Sequence, residues 1–376
     1  MRIILRESWA LAAHGWMGWL LLLVPVAVVL RATHQPAVVV FLVAAAAVIP
    51  LAGLLGRATE EVAARLGPTA GGLLNGTLGN AGELIIALLA LRSGHIEVVQ
   101  ASVSGSIIGN LLLVFGLAIF LGGLQREKQT FSRMAAGTNV SMLFLAVVAL
   151  VTPAVFNLVA YGELQHKGDA VEKLALWTSI VLVLIYGASF IMTFRTHRAW
   201  FRGEAHGEPT VRQSSALTML AVTTLLIVVC SEILVGAIEE ASKALGLTEL
   251  FVGMIVVAIV GNAAEHSTAI LMARKNQPDA ALAIAVGSST QVALLVAPVL
   301  VFASFAFGHP MTLVFHPLEI AGIVMSVLII HMVALDGETN WFEGLELLAV
   351  YVMLAVAFYY LPPVTPPASA PIPGSP

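Results

Sequence analysis

Gly79-Asn80-Ala81-Gly82-Glu83 is a short polar sequence set inside an apolar stretch, and Gly261-Asn262-Ala263-Ala264-Glu265 repeats it 182 positions later. Each copy falls near the middle of a hydrophobic run long enough to cross a bilayer. A carboxylate at that depth costs about 2.5–3.5 kcal/mol on insertion scales, so an intramembrane acid is a functional-site hypothesis by default. Two such acids in matching repeats point to one site built from two halves.

The surrounding composition fits a membrane protein. Hydrophobic residues make up 59% of the 376 and charged residues only 11%, against about 25% charged in a soluble domain. Alternating ten-residue strands are absent, which disfavours a membrane β-barrel. The net charge of −4 and the lack of a basic cluster give no reason to expect nucleic acid as a partner. Cys230 is the single cysteine, which excludes an internal disulfide and disfavours a thiolate metal cluster.

Apolar runs predict an all-α membrane protein with about eleven transmembrane helices, at 12–31, 37–58, 71–91, 96–120, 135–156, 171–194, 215–238, 250–272, 280–305, 317–335 and 342–360. The first is read as a retained helix rather than a cleaved signal, because Arg31-Ala32-Thr33-His34 makes a poor cleavage site. The division is an N-terminal segment with a leading helix (1–36), a first five-helix repeat (37–194), a linker (195–214), a second five-helix repeat (215–360) and a Pro-rich tail (361–376) expected to be disordered. Of 18 Lys and Arg, thirteen fall in segments that are inward if the N-terminus is inside, and five in outward ones. That bias places the N-terminus in the cytoplasm and the C-terminus outside. In a prokaryote the membrane would be the inner (plasma) membrane.

Further pairs share the repeat. Gly105-Ser106 and Gly287-Ser288 are also 182 apart, and Ala58-Thr59-Glu60-Glu61 matches Ala237-Ile238-Glu239-Glu240 at an offset of 179. Five helices per repeat is an odd number, so the halves must cross the membrane in opposite senses. Inverted repeats put the substrate site near the midplane, at their interface.

The site residues are oxygen donors. Asn75, Gly79 and Glu83 follow a four-residue spacing, and Asn80 and Glu83 stand three apart, as do Asn262 and Glu265. The next helix in each half adds Ser102, Ser106 and Asn110, or Ser288, Ser289, Thr290 and Gln291. Carboxylate, amide and hydroxyl oxygens suit a hard cation such as Ca²⁺, whereas zinc or copper would prefer His or Cys. His266 adjoins Glu265 but is turned by about 100° on a helix, and is expected to be structural. Binding Ca²⁺ cancels two negative charges, and so does binding two protons. A doubly charged empty site should resist reorientation while a neutral one passes, which describes an obligatory exchanger of Ca²⁺ for H⁺. Glu232, within another apolar span, is a candidate third acid. Glu60, Glu61, Glu239, Glu240, Glu319, Asp336, Glu338, Glu343 and Glu346 are expected near interfaces, where a charge costs little. No cofactor is expected beyond the transported ions.

These residues resemble the cation/proton exchangers (calcium/proton antiporters) of the calcium/cation antiporter superfamily. The likeness rests on the two Gly-Asn-Ala motifs, on Gly105-Ser106-Ile107-Ile108-Gly109-Asn110, on Gly287-Ser288-Ser289-Thr290-Gln291, on Ser231-Glu232, and on Asp336 through Gly344. It implies one leading helix plus two inverted repeats of five. It also implies that Glu83 and Glu265 are the central cation and proton acids, surrounded by Asn80, Asn110, Asn262 and Gln291, with Ser106 and Ser288 matching motif serines. Family members are often homotrimers. The linker here is more basic than the acidic helix that separates the halves in many eukaryotic members. The competing classes are a sodium/calcium exchanger, a cation channel and an intramembrane enzyme. The last has no His-Glu-x-x-His, Gly-x-Ser-x-Gly or Walker A sequence to support it.

Overall fold

The structure, a computed structural model, describes residues 17–164, 168–192 and 210–362. Most of the linker and the tail therefore lie outside the described residues, as does the side chain of Asn75. The leading helix is α1, Leu23–Ala32. It is followed by α2, Ala37–Leu78, and α3, Ala81–Arg92. Helix α4 is Ile96–Gly123, α5 is Arg133–Tyr161 and α6 is Asp169–Ile191. The second half has α7, Gln213–Leu245, α8, Glu249–Gly261, α9, Ala263–Arg274, and α10, Pro278–Phe307. It ends with α11, Pro317–Ala334, and α12, Trp341–Tyr359.

Among the described residues, eight helices are long and apolar enough to cross a bilayer, or nine when α8 and α9 count as one bent span. The expectation was eleven. Of the first expected span, 12–31, residues 12–16 lie outside the described residues, and the rest falls in the apolar helix Gly18–Ala32. The third is divided by Gly79 and Asn80, which leaves α3 with 12 residues. Its upstream part is continuous with α2. A straight helix of 42 residues would be about 63 Å long, twice the hydrocarbon thickness. It is not straight. A Cβ placed on Gly71 would overlap the carbonyl oxygen of Ala63, eight residues back, so the backbone folds sharply between them.

Local chemistry sets the ends. Helix α7 stops at Gly246 and α10 at Gly308, both left-handed at φ 66° and 76°, where glycine avoids the Cβ clash. The Asn340 side chain caps α12, accepting from the backbone N–H groups of Phe342 and Glu343. That explains part of the Asp336–Gly344 run as helix-start chemistry.

Helices α2 and α7, each at the head of its half, pack along one another. Loops expected on the same side of the membrane do meet. The Arg126 guanidinium donates to the Arg274 carbonyl, and the Gln129 amide donates to Ala273 O and Asn276 Oδ1. Ser132 N donates to Asp279. A two-stranded antiparallel pair, β1 (Gln129–Thr130) and β2 (Glu338–Thr339), closes the same end. At the opposite end His95 lies 3.4 Å from Glu249, whose carboxylate pushes the imidazole above its usual range.

Candidate functional site

The two motifs break their helices where the acids stand. Asn80 (φ −90°, ψ 18°) separates α2 from α3, and Asn262 (φ −105°, ψ 15°) separates α8 from α9 with a 61° bend. Each acid then falls in the first turn of a new helix: Glu83 in α3 and Glu265 in α9. Unpaired N–H groups and the helix dipole favour negative charge there. Broken backbone at membrane depth is tolerated where it lines a cavity or is buried in protein.

Glycine lets the two breaks touch. A Cβ on Gly261 would come within 3.2 Å of both Cα and Cβ of Glu83, and one on Gly82 would stand 3.6 Å from the Gly261 carbonyl oxygen. Glu83 is fully buried, whereas Glu265 remains partly exposed.

Two hydrogen-bonded chains cross between the halves. In the first, Asn262 Nδ2 donates to Ser106 Oγ at 2.8 Å, and Ser106 Oγ donates to Glu83 Oε1 at 2.5 Å. In the second, Asn110 Nδ2 donates to Ser288 Oγ at 3.1 Å, and Ser288 donates to Asn80 Oδ1 at 2.9 Å. Asn80 Nδ2 in turn donates to Gln291 Oε1 at 2.7 Å. The Asn80, Asn110 and Asn262 amides and the Ser106 and Ser288 hydroxyls each donate within these chains. What remains is acceptor capacity: Glu83 Oε2, Asn110 Oδ1 and Asn262 Oδ1 are buried without a hydrogen-bond partner. Each such oxygen costs about 1–3 kcal/mol left unsatisfied. A cation or a proton would satisfy it.

Both helices that carry the serines widen beside the site. Helix α4 turns π-helical over Gly109–Val114 and α10 over Val292–Val296, nearly 182 residues apart. A third π segment, Val252–Val257, lies in α8. Such turns concentrate at functional sites because the extra residue re-aims the side chains that follow.

The structure thus joins Asn80, Glu83, Ser106, Asn110, Asn262, Ser288 and Gln291 in one cluster, with the Glu265 helix beginning at the same crossing. It does not bring Glu232 there. Ser231, Ile233 and Leu234 are buried, while Glu232 is exposed and, among the described residues, makes no hydrogen bond to the cluster. Two interface expectations change. Glu319 is buried, accepting from Ser104 Oγ on α4 and, at 2.7 Å, from the backbone N–H of His316. This completes a capping box at the start of α11, with His316 in the place where the usual signature has Ser or Thr. Glu61 is not a free surface charge either. Its carboxylate accepts from the backbone N–H groups of Thr210 and Val211, just before α7, and from Arg65.

Sequence reading missed the glycine crossing. Gly82 and Gly261 stood inside the quoted motifs, but only the fold shows that Gly261 abuts Glu83.

A family model described as "Sodium/calcium exchanger protein" matches residues 36–195 and 215–360. The chain is 42% identical over 362 residues to a Ca(2+)/H(+) antiporter of Aphanothece halophytica, covering 92% of this chain and 96% of that one. It is 43% identical over 345 residues to the Ca(2+)/H(+) antiporter ChaA of Bacillus subtilis (strain 168), covering 90% and 97%. The solved structure of native YfkE superposes with a TM-score of 0.79 at 40% identity, over 94% of this chain and all of that one. A crystal structure of the H+/Ca2+ exchanger CAX matches with a TM-score of 0.70 at 14% identity, over 91% of each chain, a likeness of fold.

Proposed function

This chain belongs to the sodium/calcium exchanger protein family and is a membrane transporter rather than an enzyme, and from that premise we propose that it exchanges Ca²⁺ for H⁺ by alternating access. Glu83 and Glu265 bind the divalent cation or protons in turn. Asn80, Asn110, Asn262, Ser106, Ser288 and Gln291 orient them and supply oxygen. Eleven crossings in a leading helix and two inverted five-helix repeats carry the site, with the N-terminus in the cytoplasm. The pairing of loops 126–132 with 273–279, and of His95 with Glu249, supports that topology.

The observation that carries the reading is the crossing itself. Two acids, one per repeat, start their helices where Gly82 and Gly261 touch, beside buried oxygens that lack donors. Two carboxylates at one crossing, one of them fully buried, cannot both stay charged cheaply. One Ca²⁺ or two protons neutralise them equally well, and only a neutral centre should reorient through low-dielectric surroundings. The relatives at 42% and 43% identity are calcium/proton antiporters by name, which agrees.

The test is calcium uptake into everted membrane vesicles with and without an imposed proton gradient. Wild-type protein should accumulate calcium against its gradient when the lumen is acid. Glu83→Gln and Glu265→Gln should each insert normally and lose coupled uptake, because an intramembrane acid that carries the exchange has been neutralised. Uptake driven by sodium instead would favour sodium/calcium exchange. Normal proton-driven uptake in either variant refutes the site.

A further inference from the structure

The two halves share a pattern and differ in what covers it. On α4, Val98, Ala101, Ser102 and Gly105 form one stripe, and all four are buried. Their counterparts 182 residues on are Ala280, Ala283, Ile284 and Gly287 on α10, and all four are partly exposed. The cover over the first stripe is backbone. A Cβ on Gly105 would overlap the Met254 carbonyl oxygen. A Cβ on Gly253 would overlap the Val98 carbonyl oxygen and stand 2.9 Å from the Ala101 Cβ. Two glycines thus let α4 and α8 close against each other without side chains between them, at the end where His95 meets Glu249. Gly287, by contrast, has nothing within 4 Å.

Shifting Gly253-Met254 back by 182 gives Gly71-Gly72. We propose that Gly105 and Gly287 are the two positions of one latch. In the opposite state of the exchanger, α10 closes at Gly287 on the backbone of Gly71-Gly72, and the contact of Gly105 with Met254 opens. This rests on the alternating-access reading above. Small residues in the α10 stripe support it. Glycine inside a helix is about 1 kcal/mol less favourable than alanine, and nothing in the present conformation requires its lack of a side chain at Gly287. Closure onto a backbone would require it. The partly exposed stripe also leads along α10 to Gln291, and in the proposed latch this is the end through which the site is reached. In the proposed topology that end is cytoplasmic.

The test uses Ile284→Cys in a Cys230→Ala chain, since Cys230 is the only native cysteine and is buried. Everted vesicles are labelled with a membrane-impermeant maleimide, and calcium uptake is measured in parallel. Gly287→Val has room in the present state and should fold, keep position 284 reactive, and lower exchange about tenfold or more by barring the other state. Gly105→Val should do the reverse, holding the protein in the other state and lowering labelling at 284 about tenfold. Wild-type exchange by a fully inserted Gly287→Val chain overturns the latch. So does equal labelling in the two valine variants. If Glu83→Gln loses exchange while Gly287→Val keeps it, the latch falls and the transport reading stands. If the wild-type chain shows no exchange, the transport reading falls, and the labelling contrast still decides the latch.

Discussion

The Glu83 half and the Glu265 half carry nearly the same motif in two different environments. Glu83 is sealed, accepts from Ser106 and lies against Gly261. Glu265 is partly exposed, and its motif serine, Ser288, donates to Asn80 of the other half instead. An internally repeated chain need not fold into a symmetric molecule. The lesson is that one repeated motif can hold its acid in two different settings within a single conformation. On the proposed alternating-access cycle, the asymmetry reports the conformational state.

That contrast gives graded expectations. The largest concerns the acids: despite their unequal burial, both Glu→Gln changes should lose coupled uptake to a similar degree, because each supplies one of two charges. A difference of more than about tenfold between them, roughly 1.4 kcal/mol, would mean the acids are not equivalent partners. The next effect separates the serines. Ser106→Ala strands Glu83 Oε1 and leaves Asn262 Nδ2 only its bond to the Ala258 carbonyl, whereas Ser288→Ala interrupts the Asn110–Asn80 link and touches neither acid. Loss of a buried partner costs about 1–3 kcal/mol, so Ser106→Ala should raise the half-saturating calcium concentration about tenfold and Ser288→Ala less. The reverse order would show that the two chains of hydrogen bonds have been assigned to the wrong roles.

Most of the architecture was legible because a bilayer leaves few choices. Apolar run lengths located the helices, and the 182-residue offset marked the two halves. The turn inside α2 falls in the gap expected between the spans at 37–58 and 71–91, whereas the division at Gly79 and Asn80 lies inside an apolar run, where run length alone marks no break. The cluster was legible as residue types at helical spacing. The partners were not, since Asn262 reaching Ser106 and Ser288 reaching Asn80 are contacts between halves that no spacing encodes. Glu232 shows the converse: an acid in an apolar run lies wherever its helix face points, and on α7 that is away from the cluster.

Glu319 marks the smallest expected effect on transport. It has no counterpart acid, since the position 182 residues earlier is Gly137; its bond from Ser104 holds the start of α11 against α4, and its bond from His316 N–H caps α11. Glu319→Gln should lower thermal stability, with about 1.5–3 kcal/mol at stake for bonds to a charged group, and leave the calcium-to-proton ratio unchanged. A changed ratio would make Glu319 part of the exchange and break the two-acid comparison.

Proton release on calcium binding, read as the pH change in weakly buffered detergent solution, tests the shared site most directly. Wild-type protein should release protons in proportion to the calcium bound, and Glu83→Gln and Glu265→Gln should each release fewer or none. Stoichiometric calcium binding with no proton release, or undiminished release in both variants, would contradict a centre at which the two ions take turns.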